Sequence, residues 1–70
     1  MKIELTKEEA IVLSELLYRI SENDEIYEDF AEQYVLWKIE GQLDKELAEP
    51  FMDNYADILK KSRDSVRDNY

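Results

Sequence analysis

ENDEIYEDFAEQYVLWKIEGQL, residues 22–43, is the stretch whose reading decides the fold of this chain. It carries five acidic side chains before Phe30 and a sixth at Glu32, with Tyr27, Phe30 and Tyr34 threaded between them. Apolar residues then recur at three- and four-residue spacing, the pattern of an amphipathic helix. Asn23 or Asp24 can cap that helix, because a short side-chain oxygen accepts from a first-turn amide. The pattern runs through Phe30, Trp37 and Leu43 to about Leu47, and Pro50 disfavours α geometry at Glu49, so the predicted second helix is the long one. Gly41 inside it costs up to about 1 kcal/mol relative to Ala. A position without a side chain admits a second backbone, which predicts a helix crossing there. On a helical wheel Phe30 and Trp37 share a face and are expected in the core. Tyr27 and Tyr34 lie to one side, beside the carboxylates, and are expected at the surface.

Upstream, Thr6 followed by Glu9 is a capping-box pattern that starts a first helix at about Lys7. Ala10, Leu13, Leu17 and Ile20, widened by Ile11 and Leu16, form its apolar stripe. The SEND that follows offers competing local hydrogen bonds and ends the helix near Ser21. Lys2 to Leu5 alternate polar and apolar, and with no second strand candidate they read as a short extended N-terminal arm laying Ile3 and Leu5 on the core. Downstream of the EPF turn, Asp53 or Asn54 can cap a third helix with a thinner stripe of Tyr55, Ile58 or Leu59, Ser62 and Val66. Lys60, Lys61, Arg63 and Arg67 occupy its second half, where cations suit the negative end of the helix dipole. The expected fold is all-α: a single three-helix domain over residues 1–70, with helices 1 and 2 as an antiparallel hairpin and helix 3 folded back across them.

Seventy residues make one small domain that buries only about 60% of its unfolded surface. Monomer stability is then marginal or supplemented by a homodimer, for which the helix 1 face with Ile11, Val12 and Leu16 is a candidate. The chain has no Cys and no His, which excludes disulfides and soft-ligand metal sites. The N-terminus lacks the apolar core of a secretory signal and the apolar run AIVL is far too short to span a bilayer, so a cytoplasmic protein with no membrane partner is expected. Eighteen acidic residues against nine basic ones leave a net charge of −9. Such a field repels nucleic acid and anionic lipid, and attracts basic proteins.

Catalytic chemistry has little to build on. The serines, Ser14, Ser21 and Ser62 among them, have no evident base nearby in sequence, and neither a Gly-rich phosphate loop nor a His pair exists. NDEIYEDF lacks the ligand alternation and the sixth-position Gly of a calcium loop. Two ExxE pairs, Glu25 with Glu28 and Glu46 with Glu49, resemble the magnesium-holding carboxylates of all-α nucleotide pyrophosphohydrolases. On a long helix 2, however, they would lie about 30 Å apart and meet only in an antiparallel dimer. No enzyme, cofactor or metal is expected.

The acidic stretch accounts for part of itself. Asp24, Glu25 and Glu28 would fall in the first turn of helix 2, where negative charge is favourable. No basic residue lies between Arg19 and Lys38 to neutralise the rest. Carboxylates around exposed tyrosines suit a basic protein surface, since Tyr contributes buried area at low entropy cost and carboxylates pair with Arg or Lys. The candidate partner-binding residues are Glu25, Tyr27, Glu28, Asp29, Glu32 and Tyr34.

ELTKEEAIVL, AEQYVLWKIEGQL and EPF followed closely by NY together resemble a group of short acidic helical bacterial proteins of no assigned role. The likeness spans most of the chain through cap and core residues. It implies a bacterial source and a compact helical fold, and carries no catalytic residues across. In size and charge the chain is also similar to bacteriocin immunity proteins, acidic helical inhibitors of basic nuclease toxins. The DxxYYP motif of the colicin nuclease type is absent, so that likeness is one of class. The expected function is a protein-binding module, immunity-like or antitoxin-like, that inhibits or regulates a basic toxin, nuclease or regulator. The alternative is a nucleic-acid mimic that blocks a DNA- or RNA-binding protein.

Overall fold

Thr6 begins the first helix as a capping box. Its hydroxyl accepts from the Glu9 amide at 3.2 Å, and the Glu9 carboxylate accepts from the Thr6 amide at 2.8 Å. Four first-turn amides of a helix have no partner within it, and this reciprocal pair satisfies two donors at the start. The structure is a computed structural model that describes the backbone of residues 1–70 and every side chain except that of Asp24. Among the described residues there are three α-helices: α1 Lys7–Ser21, α2 Phe30–Glu46 and α3 Tyr55–Asn69. Short 3₁₀ turns at Asp24–Ile26 and Glu49–Phe51 connect them, and the described residues include no strand.

The second helix departs from its sequence reading at its start. Asn23 does accept from a backbone amide, that of Glu25 at 3.3 Å, but this bond closes a turn ahead of the 3₁₀ segment rather than capping a helix. The cap is Asp29, whose carboxylate accepts from the Ala31 amide at 2.7 Å, while Glu32 reaches back to the Glu28 amide at 2.9 Å. Unlike Thr6 and Glu9, which bond each other's amides, Asp29 and Glu32 accept from two other residues, Ala31 and Glu28. The predicted long central helix is therefore 17 residues, against 15 for each of its neighbours. Its end follows expectation: Leu47 turns extended and Pro50 enters the following 3₁₀ turn.

Ile11 and Leu17 of α1, Leu43 and Leu47 at the end of α2, and Leu59 of α3 form the buried core, with Ala10, Leu13, Leu36, Tyr55 and Ile58 packed around it. This core is thin and almost wholly aliphatic. α1 is the central element, packing against both α2 and α3. Tyr55 meets Glu15 near one end of α3, while Ser65 and Asn69 sit beside Thr6 and Glu9 near the other, so α3 runs antiparallel to α1. The sequence predicts α3 across the α1–α2 hairpin; it lies along α1 instead. Ser62, a small residue, is buried on the side of α3 that meets Lys7 and Ile11 of α1. Of the α1 residues expected at a dimer interface, Ile11 is buried in the core of the chain, whereas Val12 is half-buried and Leu16 is exposed.

Lys7 holds the second 3₁₀ turn to the start of α1 through an ion pair with Glu49 at 2.6 Å. Glu49 is only 7% exposed, and the Lys7 ammonium beside it holds its carboxyl below the ordinary carboxylate range. The arm contributes less than its alternation predicts. Residues 1–6 carry no regular structure and Ile3 is 71% exposed, because the short segment pairs with no other strand.

Gly41 marks a further correction. A side chain there would meet nothing within 4 Å, so no crossing occurs at this position within the chain.

Candidate functional site

α2 has two apolar rows. At 100° per residue, Leu36, Leu43 and Leu47 point about 120° away from Phe30, Tyr34 and Trp37. Only one row can face α1, and the aliphatic one does: Leu43 and Leu47 are buried, whereas Phe30 is 74%, Tyr34 60% and Trp37 51% exposed. Phe30 and Trp37 thus stand in solvent, contrary to the core placement read from the sequence. Branched and aliphatic side chains fill the narrow space between three short helices; large planar rings on the adjacent face stay outside. The Tyr34 and Trp37 rings support one another, tilted at 47° with centroids 5.8 Å apart, within the range of favourable aromatic pairs.

The acidic residues divide into two sets. Asp29 and Glu32 are engaged in starting α2, so these two, rather than Glu25 and Glu28, are the helix-start charges, and the Asp24 side chain lies outside those described. Glu25 and Glu28 are exposed. Among the described residues no Lys or Arg pairs with Glu22, Glu25, Glu28, Asp29 or Glu32. Tyr27 precedes α2 and is half-buried, so it is not seven helical residues from Tyr34 and does not share its face. With Glu28, Asp29, Phe30 and Gln33 it lines a recess of about 450 Å³.

A second recess, about 340 Å³, lies between α1, α2 and the Pro50–Phe51 turn, lined by Glu15, Tyr18, Glu40, Asp44, Phe51 and Tyr55 among others. None of its lining residues was among the binding candidates read from sequence, because four separate elements supply them. Tyr55 donates its hydroxyl to Glu15 at 3.2 Å. Burial first, and then the charge of Glu15, push the Tyr55 phenol above its ordinary value. Glu40 has one carboxylate oxygen buried without a hydrogen-bond partner. Burial chiefly, and the neighbouring Asp44 charge, raise its proton affinity, while the Ser21 hydroxyl offsets only part of this. Gln33, Trp37, Glu40 and Asp44 follow one another at four-, three- and four-residue spacing, so a single row of α2 joins the two recesses.

The combined surface offers aromatic area and negative charge. Neither recess has a Lys or Arg in its lining. Among the described residues no three acidic groups converge to hold a metal ion. The ExxE pair at Glu46 and Glu49 is divided, with Glu46 exposed and Glu49 buried on Lys7. No described helix is long and apolar enough to cross a membrane. Comparison with protein-family models, with curated proteins and with solved structures returns no match to this chain.

Proposed function

We propose that this chain is a small non-enzymatic protein-binding module of the cytoplasm that inhibits or regulates a basic partner, in the manner of an immunity protein or antitoxin. One observation carries the reading: the exposed Phe30, Tyr34 and Trp37 of α2 lie beside two recesses lined with carboxylates and aromatic rings and free of Lys and Arg. Exposed aromatic residues are the usual anchors of protein interfaces, and they supply most of the binding energy when a partner covers them. Charge of one sign around them speeds encounter with a partner of the other sign and selects against acidic ones. Rings interleaved with the carboxylates favour a protein partner over the nucleic-acid-mimic alternative, which needs carboxylates alone at phosphate spacing. The site sharpens to Tyr27, Glu28, Phe30, Tyr34, Trp37, Glu40 and Asp44, with Glu25 at its edge and Asp29 and Glu32 serving mainly to build the start of α2. In this reading the N-terminal segment is an arm on the far flank of α2, beside Ile39 and Glu46, and leaves the binding face open.

Affinity capture from a bacterial lysate compares the wild type with a Tyr34→Ala, Trp37→Ala, Asp44→Lys triple variant, whose changes all lie on exposed positions. The wild type should retain a basic protein that salt releases and that the variant fails to retain. Equal retention by both proteins, or capture of an acidic partner alone, removes the reading.

A further inference from the structure

We infer that the segment this surface receives is a basic amphipathic α-helix lying along α2, with its closest approach over Gly41. The inference rests on the basic-partner reading above and names the form of that partner. Phe30, Tyr34, Trp37 and Gly41 recur at intervals of four, three and four residues, the spacing that keeps one seam facing a second helix. Three members of the row are exposed rings, and the fourth is a gap: among the described residues nothing beyond the adjoining helix backbone comes within 4 Å of where a Gly41 side chain would begin. Glycine has a backbone role only where a turn or a close approach requires it. Gly41 has no positive φ and sits more than a turn before the helix end at Glu46, so no turn explains it. The ridge of rings followed by a depression is the shape into which a facing helix sets a large side chain or its own backbone.

Charge decides whose helix that is. By helical position Glu40 and Asp44 flank the row on one side and Lys38 and Lys45 on the other. A second copy of this chain docked antiparallel would place like flanks together, acid on acid and base on base. A parallel pairing would set Glu40 and Asp44 of one copy against Lys38 and Lys45 of the other, but it would also bring both copies of Glu28 and Asp29 side by side, on chains that each carry a charge of −9. The antiparallel arrangement is opposed along both flanks, and the parallel one at the acidic start of α2 and by the net charge of the chains. A foreign helix with Lys or Arg on the flank that meets Glu40 and Asp44 is complementary, and its cations reach the recess that holds the buried, unpartnered oxygen of Glu40.

The chain's one tryptophan, Trp37, reports directly on this face. The probe is a synthetic peptide of leucine, lysine and glutamine, about 20 residues and long enough to be helical, with leucine at heptad a and d positions, lysine on one flank of that seam and glutamine on the other. Controls are a scrambled peptide of the same composition and a version with glutamate for lysine. Saturable binding of the heptad peptide with a blue shift of Trp37 emission is expected. Gly41→Leu, which enters open space and should keep the free protein's far-UV circular dichroism, should weaken binding about tenfold or more, a change of one decade in Kd. Wild-type affinity in the Gly41→Leu variant overturns the inference. Equal binding of the scrambled peptide overturns the helical form of the partner and leaves the basic-partner reading standing. Equal binding of the glutamate peptide, or no binding by either lysine peptide, overturns both. Sedimentation showing a dimer of the protein alone that Gly41→Leu disrupts assigns the seam to a second copy instead.

Discussion

Replacing Gly41 with alanine should make the free protein more stable, by an amount that follows from the structure. The residue lies in the interior of α2 and has ordinary helical φ, so alanine fits the backbone unchanged. Its Cβ would meet no atom within 4 Å, which removes any steric penalty and any packing gain. What remains is the difference in helix propensity, about 0.8–1.0 kcal/mol in favour of alanine, from the lower backbone entropy of the unfolded chain and the shielding of the helix. For a domain of this size 1 kcal/mol moves the melting temperature by about 4–8 °C. Thermal melts followed by far-UV circular dichroism should show that rise, and urea titrations should show a higher midpoint at unchanged slope, since the surface exposed on unfolding barely alters. A Tm that stays level or falls would falsify the placement of Gly41 in open space and return the position to a role inside the monomer. Gain of stability together with loss of helical-peptide affinity in larger substitutions is the combination expected of a residue kept for binding.

Further tests separate surface from core and charge from packing. Phe30→Ala should change stability by no more than about 0.5 kcal/mol, whereas Leu17→Ala should cost about 2–5 kcal/mol; a large loss in both, measured by urea unfolding, contradicts the exposed placement of Phe30. Asp29→Ala should cost about 1 kcal/mol as a lost helix cap, with Glu25→Ala near neutral, and the reverse order would assign the start of α2 to the wrong acid. For Glu40, the raised folded-state value means the native state holds the proton more tightly than the unfolded chain. Its contribution to stability is present below the ordinary 4.5 and lost as pH rises through the raised value. Glu40→Gln should therefore equal wild type in acid and exceed it at neutral pH, and a gain confined to acid refutes the buried carboxylate. Glu49 has the opposite sign. Its lowered value stabilises above 4.5 and that contribution disappears as pH falls through the folded value, so Lys7→Ala should destabilise at neutral pH and converge on wild type in acid melts.

Local chemistry was legible wherever the relevant atoms are close in sequence. Thr6 with Glu9 identifies the start of α1, and Pro50 identifies the stop after α2, because both act through bonds or clashes within four residues. The start of α2 was obscured by abundance. Asn23, Asp24 and Asp29 are all competent caps, and the sequence has no way to choose among acids in a run of them; the 3₁₀ turn at Asp24–Ile26 uses up the first candidates and leaves the position to Asp29. A legible signal for the exposed rings existed in the two apolar rows of α2, since two rows about 120° apart cannot both face one neighbour.

The sequence by itself determined three helices, their approximate limits, the absence of thiol and imidazole chemistry, and a net charge of −9. Those properties depend on residue type and on neighbours a turn away. Only the tertiary structure decided which row of α2 was buried, that α3 lies along α1, that Gly41 faces open space, and that Glu15, Glu40, Asp44, Tyr18, Phe51 and Tyr55 share one recess. Each of these depends on how rigid helices share a small volume. A five-residue aliphatic core leaves room for Leu43 and Leu47 between the helices and none for Phe30 or Trp37, and a row that is excluded from the core becomes the surface a partner can use.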